Sequence, residues 1–68
     1  MKEIKISTEI IKLDAFLKWS AMASSGAEAK MFIKDELVFV NGEVCIQRGR
    51  KLKVNDIVTF DGDSYKLV

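Results

Sequence analysis

The chain has 68 residues, the size of one small domain, and we expect residues 1–68 to form a single unit. Hydrophobic residues make up 49% and charged residues 31%, a balance that favours a folded domain over a disordered segment. The net charge is only +1, so a polyanionic partner is indicated only if the cations are segregated. The chain has no His and one Cys, which excludes His-based triads, typical zinc sites and intramolecular disulfides.

A strand and a helix are the first elements that the pattern predicts. Residues Lys2 to Ser7 alternate between polar and apolar, as in a half-buried strand. From Lys12 the period changes to that of an amphipathic helix ending near Met22. The predicted core face of this helix comprises Leu13, Phe16, Leu17 and Ala21.

A second helix is predicted to begin near Gly26. Ser25 followed by Glu28 has the spacing of a capping box, in which the Ser hydroxyl accepts from a free backbone N–H. The predicted core face comprises Ala29, Phe32, Ile33 and Leu37. Because the connection is short, the two helices should pack as an αα-hairpin.

Two β-hairpins are predicted for the remainder of the chain. Leu37 to Val40 and Glu43 to Ile46 flank Asn41-Gly42, a pair that readily adopts positive φ at both turn positions. After the polar segment from Gln47 to Lys51, a second hairpin is predicted with strands 57–60 and 64–68 around Asp61-Gly62-Asp63.

The strongest charge feature is a basic segment between the two hairpins. Arg48, Arg50, Lys51 and Lys53 occur there with no acidic residue among them. Guanidinium groups suit bidentate phosphate contacts, so this segment is a candidate polyanion site. The alternative is an ordinary solvated loop.

Three side chains on the predicted helices extend this candidate site. Lys30 and Lys34 are four residues apart on one flank of helix two, although they are also explained as ordinary surface lysines. Trp19 projects away from the core face of helix one, where an exposed indole can stack on a base or ribose. The alternative for Trp19 is packing against the edge of its own sheet.

The side chains that could in principle take part in catalysis have simpler structural explanations. Asp61 and Asp63 flank a turn glycine, so turn chemistry explains them better than a catalytic carboxylate pair does. Cys45 lies in an apolar run and is expected to be a buried hydrophobe. No active site, cofactor or metal is predicted, and the enzyme hypothesis ranks last.

Taken in order, four segments of the chain resemble the S-four RNA-binding domain, whose core is the alpha-L motif. The segments are Lys12 to Leu17, Gly26 to Lys30, Val38 to Val44 and Arg48 to Leu52. Their spacing most resembles the small, stand-alone, bacterial YaaA-like subgroup. Where relatives often have Gly-Asp, this chain has Asn55-Asp56, and Asn tolerates the positive φ that such a turn requires.

This resemblance implies an α+β fold in which a two-helix hairpin packs on a small, bent, antiparallel-rich β-sheet. It also implies a non-catalytic protein that binds structured RNA such as ribosomal RNA or tRNA, in company with the ribosome or a ribosomal subunit. The RNA-binding residues that it implies are Lys12, Ser25, Lys30, Lys34, Asn41, Arg48, Arg50, Lys51 and Lys53.

No apolar stretch of the sequence is long enough for a membrane span or a signal peptide, so a cytoplasmic setting without a membrane partner is expected. The chain is also expected to be a monomer. The rival hypothesis is a protein-interaction module. In that case Phe39, Trp19 and Met31 would form an exposed apolar contact and the charges would serve solubility.

Overall fold

Two helices and seven short strands form the fold in a computed structural model that describes residues 1–68. The helices are α1 (Leu13–Trp19) and α2 (Gly26–Lys34). The strands are β1 (Lys2–Ile4), β2 (Ile11–Lys12), β3 (Val38–Val40), β4 (Glu43–Val44), β5 (Lys51–Leu52), β6 (Ile57–Phe60) and β7 (Asp63–Leu67). The predicted α+β class, with an αα-hairpin followed by β-hairpins, is confirmed.

The strands form one main sheet and one small sheet. The main sheet has the order β1-β7-β6-β3-β4, and all neighbours are antiparallel except β1 and β7, which are parallel. Strands β2 and β5 pair separately, with Ile11 opposite Leu52 and Lys12 opposite Lys51. Neither the parallel pair nor the small sheet was predicted from local patterns.

Both predicted hairpin turns have positive φ at their two central residues. The values are 52° and 86° for Asn41-Gly42, and 53° and 81° for Asp61-Gly62. The second hairpin is tighter than predicted, because Asp63 already pairs with Phe60 as the first residue of β7. In the first hairpin β4 ends at Val44, so the predicted extension of this strand to Ile46 is wrong.

One face of the main sheet is covered by the helices, and the core lies between them. The core cluster contains Leu13, Phe16 and Leu17 from α1, Ala29 and Ile33 from α2, and Val38, Val40, Val58 and Leu67 from the sheet. Phe32 is partly buried and packs against this cluster, and its ring stacks on that of Phe60 with the two centroids 4.6 Å apart. The core faces predicted for the helices are therefore largely confirmed.

Two predicted core residues and one strand boundary are wrong. Helix α1 ends at Trp19, and Ala21 adopts φ 65° and is exposed. Helix α2 ends at Lys34, Glu36 adopts φ 62°, and Leu37 is 46% exposed. In both cases a left-handed residue reverses the chain and ends the 3.6-residue period. Strand β1 ends at Ile4, short of the predicted Ser7.

The left-handed Ala21 leads to a prediction about stability. Its Cβ makes positive φ unfavourable, whereas Gly adopts this conformation freely. We expect Ala21→Gly to stabilise the domain by roughly 0.5 to 1 kcal/mol, measured as a higher melting temperature. Ala27→Gly, inside α2, is the control and should lower the melting temperature. A lower melting temperature for both variants would contradict this account of the turn.

Candidate nucleic-acid interface

The basic segment is fixed by its own backbone against the start of α1. The carbonyl of Arg50 accepts from the N–H of Leu13 at 2.8 Å, and that of Arg48 accepts from the N–H of Asp14 at 3.1 Å. These bonds satisfy N–H groups that every helix leaves free in its first turn. A further bond from the N–H of Arg50 to the carbonyl of Gln47 closes the loop at 3.1 Å. The exposed arginine side chains therefore extend from a positioned backbone.

Strand pairing brings two lysines next to this loop. Lys12 and Lys51 are direct partners in the β2–β5 sheet, and both are exposed. Side chains that are directly opposite on antiparallel strands have Cβ atoms about 5 Å apart, and like charges there lower stability. We call Lys12, Arg48, Arg50 and Lys51 the basic cluster.

Asn41 and Lys53 are linked through the side chain of Asp56. The side-chain amide of Asn41 donates to Asp56 at 3.1 Å, and its carbonyl oxygen accepts from the N–H of Ile57 at 2.9 Å. The other Asp56 oxygen accepts from the N–H of Lys53 at 2.9 Å. The Asn41 side chain thus holds the hairpin in place, while the ammonium group of Lys53 is exposed. The predicted turn at Asn55 is confirmed, with φ 82°.

The start of α2 has the predicted cap. The Ser25 hydroxyl accepts from the N–H of Glu28 at 3.1 Å, and the Glu28 carboxylate accepts from the N–H of Ser24 at 2.9 Å. Ser25 is exposed and its hydroxyl hydrogen is not used by this bond, so the group can still donate to a ligand.

Lys30 and Lys34 follow Gly26 at four-residue intervals and form one exposed row along α2. This row begins beside α1, because Gly26 lines a shallow surface depression together with Asp14, Ala15 and Lys18. Lys18 was not among the residues predicted for the site. That Lys18 and the start of α2 line one depression depends on the packing of the two helices, although the position of Lys18 on the outer side of α1 follows from the helical period.

Trp19 is partly exposed and partly held by its own chain. Its indole N–H donates to the carbonyl of Lys5 at 2.8 Å, while 54% of the residue is exposed. This bond ties the end of α1 to the segment after β1. The structure therefore contains a feature of each alternative. The indole is bonded at the edge of its own sheet, and part of its aromatic surface remains exposed.

The three apolar side chains of the rival protein-interaction hypothesis do not form one surface. Phe39 is 40% exposed on the outer face of the sheet, since its neighbours Val38 and Val40 point into the core. Trp19 and Met31 are on the helices, which cover the opposite face of the sheet. The prediction that these three residues form a single exposed apolar contact is therefore wrong, because the sheet separates Phe39 from the other two.

The structure offers few alternatives to this basic surface. No group of three or more His, Cys, Asp or Glu side chains lies close enough to bind a metal ion. Neither helix has the length and apolar character needed to cross a bilayer. Cys45 is buried, as expected of a small hydrophobe.

Comparison with known proteins agrees with the fold. A sequence profile described as the S4 domain matches residues 4–68. The chain is 46% identical over 59 residues to a probable ribosome maturation protein, RlbA, of Bacillus subtilis strain 168, and the match covers 87% of this chain and 83% of the relative. The crystal structure of 30S ribosomal protein S4e from Thermoplasma acidophilum superposes with a TM-score of 0.67 at 20% identity. That match covers 88% of this chain and 32% of the ribosomal protein, so the chain spans about a third of that neighbour.

The chain is thus a small α+β domain in which an αα-hairpin packs on a mixed sheet and a basic loop is hydrogen-bonded to the start of the first helix. The chain belongs to the S4 domain family, a family of ribosome-related, RNA-binding and non-enzymatic domains. The family predicted from the four sequence segments is confirmed.

Proposed function

We propose that this chain binds structured RNA without catalysing a reaction, and that the basic cluster on the start of α1 is the centre of its RNA surface. Lys30 and Lys34 contact a neighbouring part of the RNA, and Ser25 and Lys53 lie at the margins. Asn41 contributes by holding the hairpin. The backbone and shape of the RNA, more than its base edges, determine binding.

The observation that carries this proposal is the pairing of Lys12 with Lys51 beside two backbone-anchored arginines. Like charges placed directly opposite each other lower stability, and a phosphate between them would remove that repulsion. Arginine and lysine cover phosphate groups in complementary ways, by bidentate and by point-charge contacts. An RNA backbone supplies such phosphates at regular intervals.

The partner that we propose is ribosomal RNA, with tRNA as the second candidate. The relative in Bacillus subtilis has a name that refers to ribosome maturation, which supports a ribosomal substrate for this chain. In this proposal the protein acts as a monomer in the cytoplasm and associates with a ribosomal subunit or its precursor.

Crosslinking to RNA in the native cells, followed by sequencing of the bound fragments, tests this proposal. We expect the fragments to concentrate in one region of ribosomal RNA and to be lost in an Arg48/Arg50/Lys51→Ala variant. If the bound fragments came mainly from tRNA, the partner would be tRNA, and the proposal that the chain binds structured RNA would still hold. No enrichment over the variant would reject RNA binding by this surface and favour a protein partner instead.

Lys12→Glu should change stability and RNA affinity in opposite directions. It replaces a like-charge pair with Lys51 by an opposite-charge pair, which should stabilise the small sheet by a few tenths of a kcal/mol. It also removes a phosphate contact and adds repulsion, so we expect RNA affinity to fall at least roughly fivefold near physiological salt. Thermal melting and filter binding measure the two effects, with Lys12→Gln as an intermediate control. Loss of both stability and affinity would indicate that Lys12 serves the fold.

A further inference from the structure

The indole of Trp19 stands between two shallow depressions on the outer side of α1. The larger depression, of about 410 Å³, is lined by Ile11, Ala15, Lys18 and Trp19. The smaller, of about 200 Å³, is lined by Lys5, Ile6, Ser7 and Trp19. Trp19 is the residue that the two depressions share.

The polar group of this indole is already used. Its N–H donates to the carbonyl of Lys5 at 2.8 Å, which holds the ring in one position. The 54% of Trp19 that is exposed therefore offers aromatic carbon that needs no hydrogen-bonding partner. A ring fixed in this way loses little conformational freedom when a flat group stacks on it.

The charges around the indole favour an anionic ligand. Lys18 lines the larger depression, Lys5 contributes to the lining of the smaller one, and neither depression is lined by an acidic residue. A flat aromatic surface next to lysine residues is complementary to a nucleotide, which has a π-face and a phosphate. A purely apolar peptide would offer no partner to the ammonium group of Lys18.

The depressions are also continuous with the proposed RNA surface. Lys18 lines a further depression with Asp14, Ala15 and Gly26, and the N–H of Asp14 donates to the carbonyl of Arg48. A single RNA can thus reach Trp19 from the basic cluster along one side of α1. The one acidic residue on this path, Asp14, directs a carboxylate oxygen to the N–H of Ala15 at 2.7 Å.

We infer that Trp19 is a stacking site for one unpaired nucleotide of the bound RNA, with Lys18 and Lys5 contacting the flanking phosphates. This inference rests on the proposed function and adds to it a specific class of substrate, namely RNA in which a bulged or looped base lies next to a helix. The base is selected for being unpaired and not for its identity, because every base has a π-face.

Three RNA hairpins test the inference on the unmodified chain. The first carries one bulged adenosine, the second carries an abasic residue at the same place, and the third is fully paired. Trp19 is the only Trp in the chain, so its fluorescence reports on the site alone. We expect quenching by the first hairpin only, and an affinity for it that exceeds that for the abasic hairpin by roughly 5- to 150-fold.

Variants separate stacking from other roles of the residue. Trp19→Leu should abolish the preference for the bulged adenosine, and Trp19→Phe should retain part of it, because only the second keeps an aromatic ring. Phe39→Leu, on the outer face of the sheet, is the matched control and should keep the full preference. The quenching experiment needs no substitution, so it stays decisive even if a variant unfolds.

The possible outcomes distinguish this inference from the function on which it rests. Equal affinity for the bulged and abasic hairpins, with weaker binding of both by Arg48/Arg50→Ala, would overturn the stacking site and support the basic cluster. Binding of RNA without quenching would likewise overturn the stacking site. The depressions would then be better explained as a binding site for an apolar peptide. No binding of any hairpin would overturn both proposals.

Discussion

Arg48→Ala combined with Arg50→Ala should weaken RNA binding by roughly 10- to 30-fold near physiological salt. Each phosphate contact contributes about 0.7 to 0.9 to the slope of log affinity against log salt, so the loss of two should flatten that slope by about 1.4 to 1.8. Filter binding of one RNA across a salt series measures both quantities.

The same double variant should leave the fold intact. The carbonyls of residues 48 and 50, not their side chains, accept from the start of α1, and alanine keeps these carbonyls. Because both side chains are exposed, we expect the free energy of unfolding to change by no more than about 0.5 kcal/mol. A large loss of stability would show that the guanidinium groups serve the fold, contrary to the proposal.

A matched control changes the net charge equally outside the cluster. Lys2→Ala with Lys66→Ala also removes two positive charges, but from β1 and β7, which belong to the main sheet and not to the small sheet that carries Lys12 and Lys51. If general attraction to RNA were the whole effect, the two double variants would weaken binding equally. The proposal instead requires a clearly larger effect for the arginine pair.

The elements predicted correctly are those whose pattern is local. The periodic apolar residues of α1 and α2, the cap at Ser25 and the Asn41-Gly42 turn each depend on a few consecutive residues. The errors at Ala21 and Leu37 have one cause. A single residue with positive φ, without a Gly to mark it, ended each helix earlier than hydrophobicity suggested.

The parts that could not be predicted depend on pairs of residues far apart in the chain. Strands β2 and β5 have two residues each, and local alternation does not reveal that they pair, although this pairing is what places Lys12 opposite Lys51. The sequence therefore indicated the charged side chains from which the site is proposed. It could not predict that backbone carbonyls anchor the loop, or that Lys18 lies beside α2.

Phe16→Ala should unfold or nearly unfold the domain, since Phe16 is fully buried between α1 and the sheet. Truncating a buried Phe costs roughly 3 to 5 kcal/mol, while a domain of this length has roughly 3 to 10 kcal/mol of total stability. Urea denaturation followed by circular dichroism measures the difference. Phe39→Ala removes the same atoms from a residue that is 40% exposed, so its cost should be much smaller. Equal costs for the two variants would contradict the assignment of the core, and with it the position of α1 from which the basic cluster is built.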